Sequence, residues 1–328
     1  MSSELTSRML PEDRTASGRA RARVQRHLQW VRRDGLARVV EEDGLDPRVR
    51  VRSAVRSRRW LAHHAVPIGT ARPVFVLGVQ RSGTNMVLRG FEQDPAVEVH
   101  NENDRSVFDR FQLRGDAEVR ATVHRSRHAV VMFKPLCDSH RTAGLLEAMV
   151  ARGPAVGGPA RAVWVYRGVD GRARSAVQKF GDVNRRVLTE VARGEGRERW
   201  QAQGLSEASL ELIREVDPAR LSAESAAALF WVVRNRMFLD HGLQLRPDLH
   251  LVSYERFVLD PEMEATALAR FLGLEPGPAH WAHADRRAAY VPRLDLDRRV
   301  RAASDDLEVR LGLVAERSYR RALREQMA

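Results

Sequence analysis

The chain has 328 residues, a formal net charge of +12 and a single cysteine, Cys137. Its hydrophobic fraction of 43% and charged fraction of 30% are typical of a soluble globular protein. No apolar run approaches the ~20 residues that a bilayer span requires, and the N-terminus lacks the apolar core of a signal peptide. One cysteine excludes an internal disulfide and fits a reducing compartment. We therefore expect a cytoplasmic protein with one large domain, or one domain and an extension.

The basic charge comes almost entirely from arginine, because Lys134 and Lys179 are the only lysines. Residues 1–70 contain 15 arginines against 8 acidic residues, which gives +7 of the +12. A basic arm of this kind steers anionic partners or forms a solvated helical face, and we favour the solvated face. Only Trp30 and Trp60 accompany these arginines, which disfavours nucleic-acid binding by base stacking. An arginine-rich, lysine-poor composition is also typical of high-GC bacteria.

The first 70 residues predict helices without strands. Residues 1–20 are polar and are expected to be disordered. Residues 21–40 and 48–63 repeat apolar side chains at helical spacing, which predicts two amphipathic helices. Prolines and a glycine at residues 67–73 then mark a boundary. We assign residues 1–70 to a basic helical extension and residues 71–328 to the main domain.

The main domain alternates strands with helices. Five apolar runs predict strands, at residues 74–77, 97–100, 128–133, 162–166 and 249–253. Helices are predicted over residues 85–92, 106–113, 142–150, 222–240, 261–271 and 298–313, with a charged helical insertion at about 184–228. This alternation predicts an α/β fold, a three-layer, mostly parallel sheet flanked by helices, with sites at the carboxyl ends of the strands.

A glycine-rich turn joins the first predicted strand to the helix that follows it. This turn, hereafter the glycine loop, reads Gly78-Val79-Gln80-Arg81-Ser82-Gly83-Thr84. Strand, turn and helix together direct backbone N–H groups and a helix N-terminus at one anion. The turn nearly fits the Walker A pattern, but Thr84 and Asn85 stand where a lysine should follow Gly83. A nucleoside triphosphatase is therefore a poor fit, and the cation of the turn is Arg81.

Polar side chains follow the other predicted strands as well. His100 and Glu102 come at the end of the second strand, and Lys134 follows the third. Arg167 ends the fourth strand, and Ser175 stands eight residues later. Because the carboxyl ends of parallel strands meet at one edge of the sheet, we expect these groups to face one crevice.

Together these motifs resemble those of the sulfotransferases that use 3′-phosphoadenosine 5′-phosphosulfate (PAPS), the protein-tyrosine branch more than the cytosolic one. The family's phosphosulfate loop reads approximately P-[KR]-S-G-T-[TS], and this chain has Gln80-Arg81-Ser82-Gly83-Thr84-Asn85. The 3′-phosphate motif places an arginine at a strand end and a serine eight residues later, as here. A late signature, Tyr254-Glu255-Arg256-Phe257 with Asp260-Pro261 and Phe271-Leu272-Gly273-Leu274, is also similar. The resemblance covers about residues 73–313.

The resemblance implies PAPS as co-substrate, no metal, and two separate anion sites. The phosphosulfate would be held by Gln80, Arg81, Ser82, Gly83, Thr84 and Asn85. The 3′-phosphate would be held by Arg167, Ser175 and, one helical turn further on, Lys179. The late R-K-G motif of the cytosolic branch is missing, and the sequence leaves Arg286, Arg287 and Arg293 as alternative replacements.

Sulfuryl transfer also needs cations near the departing nucleotide and a base on the acceptor. The resemblance implies Arg81 and Lys134 as the cations. Leu136 stands where the cytosolic branch has its histidine, which removes the usual base. Counting from Gly78 without a gap places Glu102 at the glutamate of the protein-tyrosine branch, with His100 as the alternative base.

These residues predict a sulfotransferase that acts on a hydroxyl, phenol or amine of a small-molecule or carbohydrate acceptor. A P-loop kinase or nucleotide hydrolase is one alternative, and a basic-arm binding protein on a degenerate sulfotransferase fold is another. We expect no nucleic-acid partner and no membrane span, and a homo-oligomer is compatible with the sequence. The acceptor itself matches no pattern in the chain.

Overall fold

The structure is a computed structural model that describes residues 47–149 and 159–324. The chain divides into two units, residues 1–56 and 57–328, and the sheet lies in the second. The predicted disorder over residues 1–20 and the predicted helix over residues 21–40 lie outside the described residues. The helix predicted over residues 48–63 is confirmed as α1 (Pro47–His64). Within the described ranges, no helix is long and apolar enough to cross a lipid bilayer.

Every predicted strand is present among the described residues. The strands are β1 (Arg72–Gly78), β2 (Val97–His100), β3 (Phe108–Asp109), β4 (Gln112–Leu113), β5 (Val130–Phe133), β6 (Arg161–Tyr166) and β7 (Leu249–Ser253). Five of these form a parallel sheet in the order β2–β5–β1–β6–β7. The predicted α/β fold with a parallel sheet is therefore confirmed.

Helices cover both faces of this sheet. They are α2 (Thr84–Glu92), α3 (Asp116–Arg125), α4 (Thr142–Ala148), α5 (Val169–Phe180), α6 (Val183–Ala192), α7 (Glu207–Val216), α8 (Ala223–Asp240), α9 (Tyr254–Leu259), α10 (Pro261–Leu272) and α11 (Arg298–Arg324). Short 3₁₀ turns span Leu136–Arg141, Pro218–Arg220, Leu243–Leu245, Pro278–His280 and Arg286–Ala289.

The core lies in two layers because successive side chains of a strand point to opposite faces. Phe75 and Leu77 of β1 pack in one cluster with residues of α5, α8 and α11. Val74 and Val76 pack in the other cluster with residues of α2 and α10. An uninterrupted apolar run therefore fits β1, which is buried on both faces.

The helix α8 begins where the sequence predicts. Ser222 is its N-cap, and its hydroxyl accepts a hydrogen bond from the backbone N–H of Ser225 at 3.1 Å. This is the geometry in which a serine satisfies one free donor of a helix start. The predicted helical insertion contains two helices, α6 and α7, and residues 193–206 between them form turns. The division at residue 70 stays a prediction.

The prediction of a helix over residues 106–113 is wrong. The segment forms the antiparallel hairpin β3–β4, turned by Arg110 and Phe111, which both adopt left-handed backbone angles of φ 49° and 70°. The backbone N–H of Leu113 donates to the buried carboxylate of Asp138 at 2.8 Å. This tertiary contact satisfies a backbone donor that a local helix would have used, so it overrides the local propensity. The helix α3 that follows was not predicted, and α11 runs eleven residues past the predicted end.

Replacement of Gly78 tests the close pairing of β1 with β6. An added Cβ would lie 2.3 Å from the carbonyl oxygen of Val165, at a backbone φ of 128° that side chains rarely adopt. We expect Gly78→Ala to lower the free energy of unfolding by ~2–5 kcal/mol, measured by urea denaturation. The matched control is Gly144→Ala in α4, where a Cβ meets no described atom within 4 Å. That change should raise stability by ~0.5–1 kcal/mol, and equal effects of the two variants would contradict the close approach.

Candidate active site

The carboxyl ends of the five parallel strands meet at one edge. The register aligns Gly78 with Val165, His100 with Phe133, and Tyr166 with Ser253. The residues that directly follow these ends therefore lie side by side. Along the edge in sheet order, the polar residues are Glu102 after β2, Lys134 after β5, the glycine loop after β1, Arg167 after β6 and Tyr254 after β7.

The glycine loop has the backbone of an anion cradle. Arg81 and Gly83 adopt left-handed angles, with φ of 71° and 90°. Gly83 is the N-cap of α2, and no side chain of the described residues caps this helix. Ser82 has a fully buried side chain whose Oγ has no hydrogen-bond partner among the described residues. A free helix start beside an unsatisfied hydroxyl is a site that an anion can fill.

Tyr254, which directly follows β7, packs against the glycine loop. A Cβ added to Gly83 would lie 2.1 Å from Cδ2 of Tyr254, so only glycine admits this ring. The Arg167 guanidinium carbon lies 4.6 Å from the centroid of the same ring, a cation–π contact. Arg167 also folds over the first turn of α5, where its Nε lies 2.7 Å from the position of a Cβ on Gly171. The Nε is buried and has no described hydrogen-bond partner.

Lys134 links the loop to the predicted base. Its Nζ donates to Oδ1 of Asn85 at 2.6 Å and lies 3.7 Å from Oε2 of Glu102. The side chains of Lys134 and Glu102 are only 9% and 17% exposed. The structure thus brings together three residues that the sequence assigned to one centre, although they come from three separate elements.

Burial raises the pKa of Glu102, even though the positive charge of Lys134 favours the carboxylate. A backbone hydrogen bond from Leu136 also favours the carboxylate, whereas the nearby carboxyl of Asp138 opposes it. A carboxylate with a raised pKa is a stronger base at neutral pH than an exposed one. The environment of Glu102 therefore suits proton abstraction.

His100, the alternative base, is held on both ring nitrogens. Its Nδ1 lies 2.6 Å from Oδ2 of Asp104, and its Nε2 lies 3.1 Å from Oε1 of Glu98. Burial lowers the pKa of His100, but the two carboxylates outweigh this effect and raise it. The ring also stacks on Phe133 at 5.2 Å between centroids. Because a carboxylate lies against each ring nitrogen, neither nitrogen is open to the hydroxyl of an acceptor.

Arg81 extends toward α5. Its Nε donates to Oγ of Ser175 at 3.0 Å, so the loop arginine and the serine of the predicted 3′-phosphate pair are in contact. Lys179 lies one turn further along the same helix and is partly exposed. Its ligand role stays a prediction. Arg81 therefore lies toward the Arg167 side of the loop, whereas Lys134 lies on the Glu102 side.

The start of α5 is capped by carboxylates. The backbone N–H of Gly168 donates to Glu255 at 3.0 Å, and that of Val169 donates to Glu308 at 2.5 Å. Burial raises the pKa of both carboxyls, although these hydrogen bonds favour the charged forms. The first N–H groups of α5 are thereby occupied, so an anion near Arg167 meets side chains rather than the helix end.

Two of the three late arginines are engaged with carboxylates. Arg287 pairs with Asp285 at 3.1 Å, and Arg293 pairs with Asp305 at 2.8 Å. Arg286 forms no ion pair with a described residue, and it begins the 3₁₀ turn that packs against α9, the helix of Tyr254. Of the three alternatives, Arg286 is thus the one that has no carboxylate partner among the described residues, and its ligand role stays a prediction.

Sequence reasoning missed residues that support the site from behind. Ser139 accepts from the backbone N–H of Gly78 at 3.1 Å and donates to its carbonyl at 3.0 Å. Arg172 donates to the carbonyl of Gln80 at 3.1 Å. Helical spacing could have revealed that Arg172 is buried, because it lies on the same face of α5 as the buried residues Val169, Ala173 and Ala176. For Glu308, 139 residues from its partner, the sequence gives no signal.

No protein-family model and no curated protein sequence matches the chain. Similar solved structures include the sulfotransferase domain of the Synechococcus PCC 7002 olefin synthase, at 14% identity over 75% of this chain and 96% of that one, with a TM-score of 0.41. The sulfotransferase domain from the curacin biosynthetic pathway is 13% identical over 73% and 98%, with a TM-score of 0.41. A sulfotransferase from Alicyclobacillus acidocaldarius is 17% identical over 76% and 99%, with a TM-score of 0.38.

Removal of the Lys134 charge tests its coupling to Glu102. We expect Lys134→Met to raise the pKa of Glu102 further, because the nearest charge that favours the carboxylate is lost while burial remains. The measurement is a pH titration of the ¹³C carboxyl shift of Glu102. Lys179→Met is the matched control, since Lys179 is the only other lysine and lies on α5. An unchanged Glu102 titration in Lys134→Met would show that the two groups are not coupled.

Proposed function

We propose that this protein is a PAPS-dependent sulfotransferase. The observation that carries the proposal is the position of Lys134, whose ammonium contacts Asn85 beside the glycine loop and lies 3.7 Å from the buried Glu102. A phosphate cradle, a cation and a base thus follow adjacent strands. This is the arrangement that an in-line transfer of a charged group to a hydroxyl requires.

The donor has two anionic ends, and the site offers two cationic positions. The glycine loop, with the unpartnered Ser82 hydroxyl and the uncapped start of α2, suits the 5′-phosphosulfate. Arg167 and Ser175, joined to the loop through Arg81, suit the 3′-phosphate. Lys179 and Arg286 would add positive charge at that second position. No protein metal is required by this chemistry.

Glu102 would take the proton of the acceptor hydroxyl as the oxygen attacks the sulfur. The bond between sulfur and the phosphate oxygen breaks, and the products are a sulfate ester and 3′-phosphoadenosine 5′-phosphate (PAP). Lys134 would stabilise the negative charge on the departing oxygen, with Arg81 of the glycine loop as the second cation. We further propose a hydroxyl, phenol or amine of a small molecule or carbohydrate as the acceptor, in a cytoplasmic setting.

Calorimetric titration with PAP and with ATP tests the donor site. We expect micromolar binding of PAP, weaker binding of ATP, and a loss of PAP affinity of at least ~10-fold in Arg167→Ala, because a fork of charge-assisted hydrogen bonds is removed. Arg287→Ala is the matched control, since that arginine is 91% exposed in its side chain and already paired with Asp285. Tighter binding of ATP, or an unchanged PAP affinity in Arg167→Ala, would contradict the proposal.

Transfer from radiolabelled PAPS to a panel of phenols, alcohols, amines and sugars tests the base. With any acceptor found, Glu102→Gln should lower kcat by ~10²–10⁴-fold while PAP binding stays unchanged, because the amide cannot accept the proton. Glu98→Gln is the control, since that carboxylate is two residues earlier and is already bonded to His100 and Ser126. A full kcat in Glu102→Gln, together with a loss in His100→Gln, would assign the base to His100.

A further inference from the structure

Arg172 lies in the interior directly behind the glycine loop. It is 1% exposed, on the side of α5 that packs in the core. Its Nε donates to the carbonyl of Gln80 at 3.1 Å, and its Nη1 donates to the carbonyl of Ala227 at 2.7 Å. The same Nη1 lies 3.4 Å from Oδ1 of Asn184. The guanidinium carbon also lies 5.1 Å from the centroid of the Phe230 ring. Among the described residues the group therefore contacts neutral oxygens and an aromatic face, and one of the oxygens belongs to the loop.

The positive charge of Arg172 is not balanced by a carboxylate. Across residues 47–149 and 159–324 it forms no ion pair, unlike Arg301 with Asp170 or Arg256 with Glu264. Burial lowers the pKa of Arg172 to about 9, and the nearby charge of Arg81 lowers it as well. Buried charges are costly unless they are paired, so this arrangement is unfavourable in the absence of an anion.

Arg234 provides a comparison inside the same chain. It is 2% exposed and donates to the carbonyls of Trp200 and Gln203, at 3.1 and 2.9 Å. It likewise forms no ion pair with a described carboxylate, and burial lowers its pKa to about 10. Its hydrogen bonds do not reach the glycine loop. The two arginines thus share burial and the lack of a counter-ion, but only Arg172 contacts the loop.

We propose that Arg172 is a buried countercharge for the phosphate groups of the ligand. Arg172 also positions the glycine loop, through its hydrogen bond to the carbonyl of Gln80. Its charge is balanced when an anion fills the loop, and part of the binding free energy comes from this compensation. The inference rests on the proposed function for the identity of the ligand as PAPS. The charge argument itself applies to any polyphosphate held by the loop.

A carboxylate placed beside Arg172 tests this directly. Asn184→Asp keeps the shape of the side chain and supplies the missing counter-ion within contact distance. We expect the ligand-free protein to melt ~2 °C or more higher, because a buried charge is paired. PAP should bind at least ~10-fold more weakly, because the charge is already compensated. Asn184→Ala is the matched control, which removes the amide without adding charge and should leave the Kd for PAP within about twofold.

A second pair of variants separates charge from packing. Arg172→Gln should weaken PAP binding at least ~10-fold, whereas Arg234→Gln should lower the melting temperature and leave the Kd for PAP unchanged. Arg172→Lys, which keeps the charge, should recover most of the affinity. Inorganic pyrophosphate is titrated in parallel as a probe of the loop alone.

The outcomes distinguish the two proposals. If the wild-type protein binds pyrophosphate but not PAP, the donor assignment fails, and the Arg172 inference is decided with pyrophosphate. If the wild type binds PAP and Asn184→Asp binds it equally well, or melts at a lower temperature, the Arg172 inference is overturned and the donor assignment stands. Binding of neither ligand overturns both.

Discussion

The parallel pairing of β1 between β5 and β6 is the constraint on which the rest of the site depends. It brings the residues after β5, β1 and β6 to one edge, so that Lys134, the glycine loop and Arg167 are neighbours without being close in sequence. The pairing is close enough that the backbone at Gly78 leaves no room for a side chain beside Val165. The order of the strands in the sheet therefore determines the order of the functional side chains along the edge, from the carboxylate of Glu102 to the ring of Tyr254.

Much of this fold could be predicted from hydrophobic pattern alone. Strands buried on both faces read as continuous apolar runs, so β1 and β7 were predictable to within two residues. The order of the strands in the sheet could not be predicted, because periodicity describes one element and carries no information about its neighbours. The prediction for residues 106–113 was wrong for a related reason. The conformation of the hairpin depends on Asp138, a carboxylate 25 residues away from Leu113.

The candidate site divides in the same way. Residues that directly follow strands, such as Lys134 and Arg167, could be identified because the edge of a parallel sheet collects them. Which of the site residues contact one another could not be predicted, since a contact such as that between Arg81 and Ser175 joins residues 94 apart. The polar residues predicted as ligands are those that follow strands or lie in turns. Arg172 was therefore not predicted, because it lies among apolar residues on the buried side of α5. Helical spacing indicates that Arg172 is buried, but its lack of a carboxylate partner depends on neighbours that are distant in sequence.

The two carboxylates at the start of α5 determine where an anion is excluded. A helix start normally attracts anions through its free N–H groups, but here Glu255 and Glu308 already accept those hydrogen bonds. An oxyanion that approached this position would meet two carboxylates, and two of the N–H donors there are already occupied. The start of α2, by contrast, has no side-chain cap among the described residues, so it attracts one anionic group of a ligand. A second anionic group has to reach the side chains of Arg167 and Ser175 instead of the start of α5, which favours one orientation of the ligand along the edge.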